Sequence, residues 1–464
     1  MVFPITTVLI LNTKLMKTCF CTALFAFIFI TISQAQIVSI PDTHFKNKLL
    51  THDPIIDTNT DGEIQLSEAQ ALTGGLFVNG TFANPGQISD LTGIEAFANI
   101  TELDCSINQI NGLPLSGNLL LEKINARDNL LGAVDVSPHT ALIELNVGSN
   151  SLIAIDVSNN TALEVLYCNS NAIKDIDVSV NTALRYLEIS ANQISALDLE
   201  TNLNLETLSA NFNPLGTLDL SNQSQLERLD CTFCELTSLD ISNSNDLENL
   251  YVPINQLTSL NLSNKPVLEF ARLSQNQLTS LGQINSPLLT SLFVDENDLS
   301  TLDISNTGVY RITCNDNPNL SYINLKNGIN QDFDTSGSSN NDFTNLPNLE
   351  TVCVDDDTSA LTVFIENQVG HAVNFTEECL LGVSGLEVSH VVLHPNPTDN
   401  IVQITSSFPV IEVSVYNSIG AQLFQYSKSD GIKNIDLSSL KSGLFLVKLV
   451  DAQNQTTVEK IIKK

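Results

Sequence analysis

The most definite chemistry in the chain lies in twelve residues near its amino-terminal end. They read Asp57-Thr58-Asn59-Thr60-Asp61-Gly62-Glu63-Ile64-Gln65-Leu66-Ser67-Glu68. Oxygen-bearing side chains recur at alternate positions, a glycine sits in the middle, and a glutamate closes the run. A hard cation such as calcium is held by roughly six to eight oxygens in a flexible shell, and this spacing supplies them. Asp57, Asn59 and Asp61 would offer side-chain oxygens. Glu63 would offer its backbone carbonyl, Gln65 its amide directly or through water, and Glu68 both carboxylate oxygens. Gly62 permits the sharp bend, and Ile64 pairs its backbone or packs inward.

The twelve residues resemble an EF-hand or dockerin-type calcium loop, which implies calcium as a structural cofactor. A helix over about Thr43 to Leu50 leads toward it, but His52-Asp53-Pro54 interrupts the approach. A single loop lacks the paired hand of calcium sensors, so stiffening of a cap is expected, not regulation. The plain alternative is an acidic turn that contains a glycine.

A second set of residues could make contacts. Tyr167, Tyr186, Tyr251, Phe270 and Phe293 recur in similar sequence surroundings, together with Arg127, Arg228, Arg272 and Arg311. Aromatic side chains and arginine are the types that anchor binding interfaces. Phe212 and Phe233 are weaker candidates, because each lies just after its strand, where such residues often pack inward as a spine. Catalytic constellations are missing by comparison. The six histidines, His44, His52, His139, His371, His390 and His394, pair with no recognisable nucleophile, and no Gly-rich phosphate loop follows a strand. A binding protein is the expected class, not an enzyme.

The elements that position these residues follow from an internal repeat. Leu121, Leu142, Leu163, Leu184, Leu205, Leu226, Leu247, Leu268 and Leu289 are each 21 residues apart. Ile100 extends the series backward, and Val309 extends it forward after one unit that is a residue short. Within a unit, apolar positions such as Leu163, Leu166 and Cys168 lead to an asparagine, Asn171, and then to Ile173. The asparagine recurs at Asn108, Asn129, Asn150, Asn192, Asn213, Asn255, Asn276, Asn297 and Asn317, and Cys234 alone breaks its column.

This pattern resembles the leucine-rich repeat, and its cysteine-bearing 21-residue units are most like the internalin-type repeats of bacterial surface proteins. The resemblance implies a solenoid with a parallel β-sheet on its concave face, here of about eleven units over 100–329. Physics points the same way. Alternation around Leu166 and Cys168 predicts a short strand, and one unit cannot bury its apolar face unless neighbours stack on it. Strands about 4.8 Å apart would make a face about 50 Å long. The asparagine column satisfies backbone groups at an inward turn. A column of aspartates, including Asp135, Asp156, Asp177, Asp198, Asp219, Asp240 and Asp303, is expected to cap outer turns, in preference to forming a cation ladder.

Residues 36–99 are expected to form a helical, EF-hand-like cap, and 330–382 a C-terminal cap ending on a strand near Leu349 to Val354. Cys353 and Cys379 could close that end as a disulfide. Cys105, Cys168 and Cys231 lie three units apart, about 14 Å in a stacked sheet, which is beyond disulfide reach. They read as small core residues.

From 383 to 464 the composition changes. Seven lysines balance seven acidic residues there, while the whole chain carries a formal charge of -32. Strands are expected around Val413 to Tyr416, Leu444 to Leu449 and Val458 to Ile462, enough for a small Ig-like β-sandwich. Three ordered motifs stand out: Leu393-His394-Pro395-Asn396-Pro397, the run from Ile435-Asp436-Leu437 to Ser442-Gly443-Leu444, and Lys460-Ile461-Ile462-Lys463-Lys464. Together with Val413-Ser414-Val415-Tyr416, they resemble the type A C-terminal sorting domain of the type IX secretion system of Bacteroidetes. That implies secretion machinery as a partner and passage across the outer membrane.

Residues 1–35 read as a signal peptide, with Lys14 and Lys17 ahead of an apolar run and Ser33-Gln34-Ala35 at the cleavage site. No further membrane span is expected. The acidity of 37–382 excludes nucleic acid and anionic lipid as partners. The expected protein is therefore extracellular or at the outer cell surface. Its expected ligand is a protein or a polysaccharide on the concave face; a passive surface spacer is the remaining alternative.

Overall fold

The computed structural model describes residues 36–336, 341–379, 392–406, 409–417, 422–428, 431–451 and 456–464. The expected signal peptide and the expected boundary at 382/383 lie outside these residues. The chain divides into two units, 1–379 and 380–464.

The first unit opens with helix α1 (Thr43–Leu50) and helix α2 (Leu66–Ala71). Asp42 caps α1, its carboxylate accepting from the amides of His44 and Phe45. Its second oxygen accepts from Ser89 N, Ser89 Oγ and Asp90 N, which ties the helix start to the approach of the repeats. Phe45 and Leu49, four apart on one helix face, are fully buried.

Short strands then recur once per coil. They are β1 (Gly74–Phe77), β2 (Ile100–Asp104), β3 (Lys123–Asn125), β4 (Glu144–Asn146), β5 (Val165–Tyr167), β6 (Tyr186–Glu188), β7 (Thr207–Ser209), β8 (Arg228–Asp230), β9 (Asn249–Tyr251), β10 (Phe270–Arg272), β11 (Ser291–Phe293), β12 (Thr301–Asp303) and β13 (Arg311–Thr313). All except β12 join one twelve-stranded sheet in chain order. Pairing is parallel, with Leu145, Leu166, Leu187, Leu208, Leu229 and Leu250 in register across neighbouring strands. Those leucines are fully buried, as are the preceding Leu142, Leu163, Leu184, Leu205, Leu226 and Leu247. Each buried leucine contributes about 1.5–3 kcal/mol, and each contribution exists only because the next coil covers it.

Two buried polar columns hold the turns. In the first, Asn129 Nδ2 donates to the carbonyls of Cys105, Ala126 and Arg127, while its Oδ1 accepts from Ile110 N. Asn150, Asn171, Asn192 and Asn276 repeat this on their own neighbours. The residue ahead of each asparagine is left-handed, with φ of 53–57° from Ile107 through Asp128, Ser149 and Ile254 to Asp316.

The second column is not evident in the sequence. Asn118, His139, Asn160, Asn181, Asn202, Gln223, Ser244, Lys265, Ser286 and Thr307 lie 21 residues apart and are all buried. Asn160 donates to the carbonyls of Val136 and His139, and Lys265 Nζ to those of Ile241 and Ser244.

The aspartate column caps outer turns. Asp135 Oδ1 accepts from Ser137 N and Oγ, and Asp156, Asp177, Asp219 and Asp240 accept the amide two residues on.

The far end departs from the expected single ribbon. A second parallel sheet runs through β12, β14 (Tyr322–Asn324), β15 (Thr351–Cys353) and β16 (Asn374–Thr376), with helix α3 (Ala360–Val369) inserted before its last strand. The parallel coils thus continue past 329 and past the strand expected to be last. Asp303 and Asn324 of this sheet occupy the aspartate column, so the second sheet grows from the outer turns and not from the leucine strands. Cys353 and Cys379 are bonded, Cα to Cα 5.4 Å, across the end of that sheet.

In the second unit, β17 (Val392–His394), β18 (Ile401–Thr405), β19 (Val410–Asn417), β20 (Gln422–Ser427), β21 (Asn434–Asp436), β22 (Gly443–Asp451) and β23 (Thr456–Lys463) form two antiparallel sheets, β17-β18-β21 and β20-β19-β22-β23. Val402, Val413, Val415, Ile435, Val447 and Ile461 fill a core of their own, as a sandwich requires.

Candidate functional site

In the three-residue strands of the large sheet the central residue is buried and the flanking residues lie on the other face, as alternation dictates, exposed or half-buried except for Ser209 and Ser291. Tyr167, Tyr186, Tyr251, Phe270, Phe293 and Arg228 stand on this open face half-buried, and Arg272 is exposed there. The structure gathers the expected contact residues into two patches. In the first, Tyr167 of β5 and Tyr186 of β6 lie 4.9 Å apart between ring centroids. Burial, then the neighbouring ring and the carboxylates of Glu144 and Glu188, push the Tyr167 phenol above its ordinary value.

The second patch is longer. The Arg228 guanidinium lies 4.6 Å from the Tyr251 ring. Tyr251 stacks on Phe270 at 4.8 Å, and Phe270 packs against Phe293 at 5.3 Å. Four side chains from β8 to β11 therefore form one ladder. Beside it lies a depression of about 420 Å³ lined by Phe270, Arg272, Phe293, Asp295, Thr313, Asn315 and Asp342. Among the described residues Arg272 has no ion-pair partner. Asp295 accepts from the Ser274 and Thr313 hydroxyls, which fixes a carboxylate in the floor.

Phe212 and Phe233 are not a buried spine. They are 53% and 50% exposed and pack on one another at 5.9 Å. Both occupy the left-handed position ahead of the asparagine column, and that backbone turn directs the side chain outward. Sequence reasoning also missed Phe82, which is 74% exposed with the Arg127 guanidinium 5.2 Å from its ring, and the two-point pair of Arg185 with Glu206.

The acidic loop at 57–68 forms a compact turn between α1 and α2. Asn59 Oδ1 accepts from Asp61 N, Asp61 Oδ1 from Glu63 N, and Asp57 Oδ2 from Gly62 N. The Gln65 amide donates to both Asp61 oxygens, at 3.2 and 3.0 Å. The Glu63 side chain turns away to Lys46 at 2.6 Å. Glu68, the expected closing ligand, has both oxygens hydrogen-bonded within the loop: Oε1 accepts from Thr58 N, Thr58 Oγ1 and Asn59 N, and Oε2 from Gln65 N. Burial acts to raise its pKa, but those donors overcome it and hold the carboxyl below its ordinary value.

In the second unit the expected motifs converge. Asn396 accepts from Ile462 N and donates to Lys460 O. Lys463 Nζ, buried, donates to the carbonyls of Leu437, Ser438 and Leu440. The amino-terminal motif thus reads the terminal strand, and Lys463 in turn caps the turn of the middle motif.

The model of the secretion system C-terminal sorting domain matches residues 392–464. Among solved structures, the chain is similar to the functional domain of InlJ from Listeria monocytogenes, described as including a cysteine ladder. Identity is 24%, with 87% of this chain and 93% of that one covered, at a TM-score of 0.53. It is likewise similar to an internalin, inlF, of Listeria monocytogenes, at 20% identity over 75% of this chain and 100% of that one, TM-score 0.53. No curated protein was found to match the chain. Among the described residues no helix is long and apolar enough to cross a membrane. The sorting domain marks the chain for export to the cell surface or beyond it. The chain is therefore a leucine-rich-repeat solenoid joined to a type IX secretion sorting domain.

Proposed function

We propose that this protein binds a partner protein through the open face of its large sheet, with the Arg228–Tyr251–Phe270–Phe293 ladder as the anchor. The continuity of that ladder carries the reading. Half-exposed aromatics on three adjacent strands, beside an arginine that has no ion-pair partner among the described residues, are the residue types on which interface energy concentrates. A contiguous apolar patch on a soluble body marks a contact surface. Glu227, Glu248 and Glu269, exposed immediately ahead of β8, β9 and β10, add negative charge along the patch. They favour a partner whose contacting surface is basic around an apolar centre.

A polysaccharide is the second reading. Sugar rings stack on aromatic faces, and here the faces of Tyr251 and Phe270 are turned on one another at 4.8 Å. Tyr167 and Tyr186 also pack on each other, tilted at 38°. Mutual cover favours the protein reading. Adhesion at the cell surface is the role that fits an exported binding body.

Protein and glycan arrays probed with the whole chain and with Tyr167→Ala, Tyr186→Ala, Tyr251→Ala and Phe270→Ala test both. Protein binding that disappears with Tyr251→Ala or Phe270→Ala supports the proposal. Glycan binding that disappears with Tyr167→Ala supports the second reading. Protein binding indifferent to all four substitutions overturns the assignment of the face.

A further inference from the structure

The loop at 57–68 holds a carboxylate oxygen that is buried and unsatisfied. Asp57 is 7% exposed, and while its Oδ2 accepts from Gly62 N at 3.0 Å, its Oδ1 has no hydrogen-bond partner. An unpaired charged oxygen out of water is costly to the fold unless a positive group meets it. No ion pair reaches Asp57 among the described residues, and the Lys46 ammonium pairs with Glu63. The atoms around Asp57 are oxygen-rich: Asn59, Asp61 and the Glu63 backbone come from the same turn, which Gly62 bends at a φ of 82°. Neutral oxygen and carboxylate donors without sulfur or imidazole suit a hard divalent cation.

We propose that this loop binds a calcium-class cation through Asp57, Asn59, Asp61 and the Glu63 carbonyl, with Glu68 as a positioning residue that holds the loop shut from outside the ion's shell. The cation would replace the Gln65 amide, which now donates to both Asp61 oxygens. Its effect reaches further than the loop. Ile64 O accepts from Val38 N at 2.8 Å, and Leu66 N donates to Gln36 O at 2.7 Å. Residues 36–38 thus lie along the loop exit as an added edge, with Ile37 bridged to Gln65. Where a paired calcium loop would lean on a second hand, this one leans on the first described residues of the chain. Cation binding therefore stiffens the loop and the segment 36–38 together.

The test is calorimetric titration of the full chain with calcium chloride, alongside melting curves in calcium and in chelator. One ion binds per chain, and Asp57→Asn, whose amide oxygen still accepts from Gly62 N, weakens binding by at least about tenfold and, by removing the buried unpaired charge, does not lower the melt in chelator. Asp61→Asn, at an exposed position, does the same. Asp356→Asn, in the exposed trio Asp356, Asp357 and Glu377, leaves binding intact. Glu68→Gln lowers the melt equally in calcium and in chelator, as a positioning residue must. Amide exchange at Val38 slows on adding calcium. Any of three results overturns the proposal: no heat at millimolar calcium, unchanged affinity in Asp57→Asn, or equal binding of magnesium. A Glu68→Gln defect confined to calcium overturns the assigned ligand set.

Discussion

The Arg228 guanidinium sits 4.6 Å from the centroid of the Tyr251 ring, one strand away on the open face of the sheet. The two meet because β8 and β9 pair in register and their flanking positions share one side. Exposed cation–π pairs contribute about 0.5–1 kcal/mol. A double-mutant cycle of Arg228→Ala and Tyr251→Ala, read by denaturant midpoints, is expected to return a coupling energy of that size. Additive effects within about 0.3 kcal/mol would show that the pair is not formed in solution.

The asparagine column makes a sharper claim. Asn171 bonds the carbonyls of Val147, Cys168 and Asn169 and the amide of Leu152. Asn171→Ala strands these groups, and a buried group left without its partner costs about 1–3 kcal/mol. Chemical denaturation should show a loss of about 3 kcal/mol or more. Conversely, Ile254 holds a φ of 57°, which a β-branched residue resists. Ile254→Gly is expected to stabilise by roughly 1 kcal/mol, against the usual cost of adding glycine.

Lys265 bears on pH. Burial, its largest influence, lowers its pKa from the ordinary 10.5, with Asp240 opposing. A base whose folded value is depressed burdens the fold while both states are charged. That burden eases as pH rises between the folded value and 10.5. Stability should therefore gain from Lys265 as the solution becomes alkaline. Lys265→Asn, the residue that serves this column at Asn181 and Asn202, removes the burden. It is expected to raise the melting temperature by a few degrees at neutral pH and to flatten the alkaline gain.

Acid acts with the opposite sign. Hydroxyls and amides of the following serines hold Asp135, Asp156 and Asp177 below their ordinary values. Carboxylates with depressed folded values stabilise fully above the unfolded value of about 3.9. They release that stability as pH falls through the folded values. Melting temperatures should be flat from neutrality to about pH 5 and then fall steeply. Asp177→Asn should soften the fall.

The cysteines divide by position. Burial, the largest cause, pushes the Cys168 thiol up to about 12, and the five free cysteines among the described residues are buried. Alkylating reagents at neutral pH should label none of them until the chain unfolds. Cys353–Cys379 closes a separation of 26 residues, which corresponds to about 3.5 kcal/mol of chain entropy. Cys379→Ser should cost up to that amount and loosen β16 before the leucine sheet, as amide exchange would report.

The leucine sheet was legible because its signal is a burial pattern: Leu163 and Leu166 have one environment in every coil. The second polar column escaped notice because its identity varies. Asn181, Gln223, Ser244 and Lys265 share a task, donation to the carbonyls of a preceding coil, but not a residue type. Helix α3 was hidden because Ala360–Val369 mixes β-branched and aromatic residues that favour strands. The loop at 57–68 was legible as a set of oxygens, yet Glu68 spends its own oxygens on the amides of Thr58, Asn59 and Gln65. Spacing alone does not show how a carboxylate divides itself between backbone and ion.

The outward turn at Phe212 and Phe233 illustrates the same limit. Their columns are set by a backbone angle, and no residue type announces it, since Asp128, Ser149 and Ala191 hold the same angle.

The hand-over of strands at the far end has one more consequence. The last strand of the leucine ribbon, β13, does not present a bare margin. Asn341 Oδ1 accepts from Ile312 N, and the Asp342 carbonyl accepts from Cys314 N. Beyond it the second sheet ends at β16, beside a covalent staple. A bare strand margin invites another strand to pair with it, and the segment at Asn341 and Asp342 occupies that margin on β13. Evolution can lengthen such a molecule by duplicating coils in its interior while the segment that covers β13 is kept.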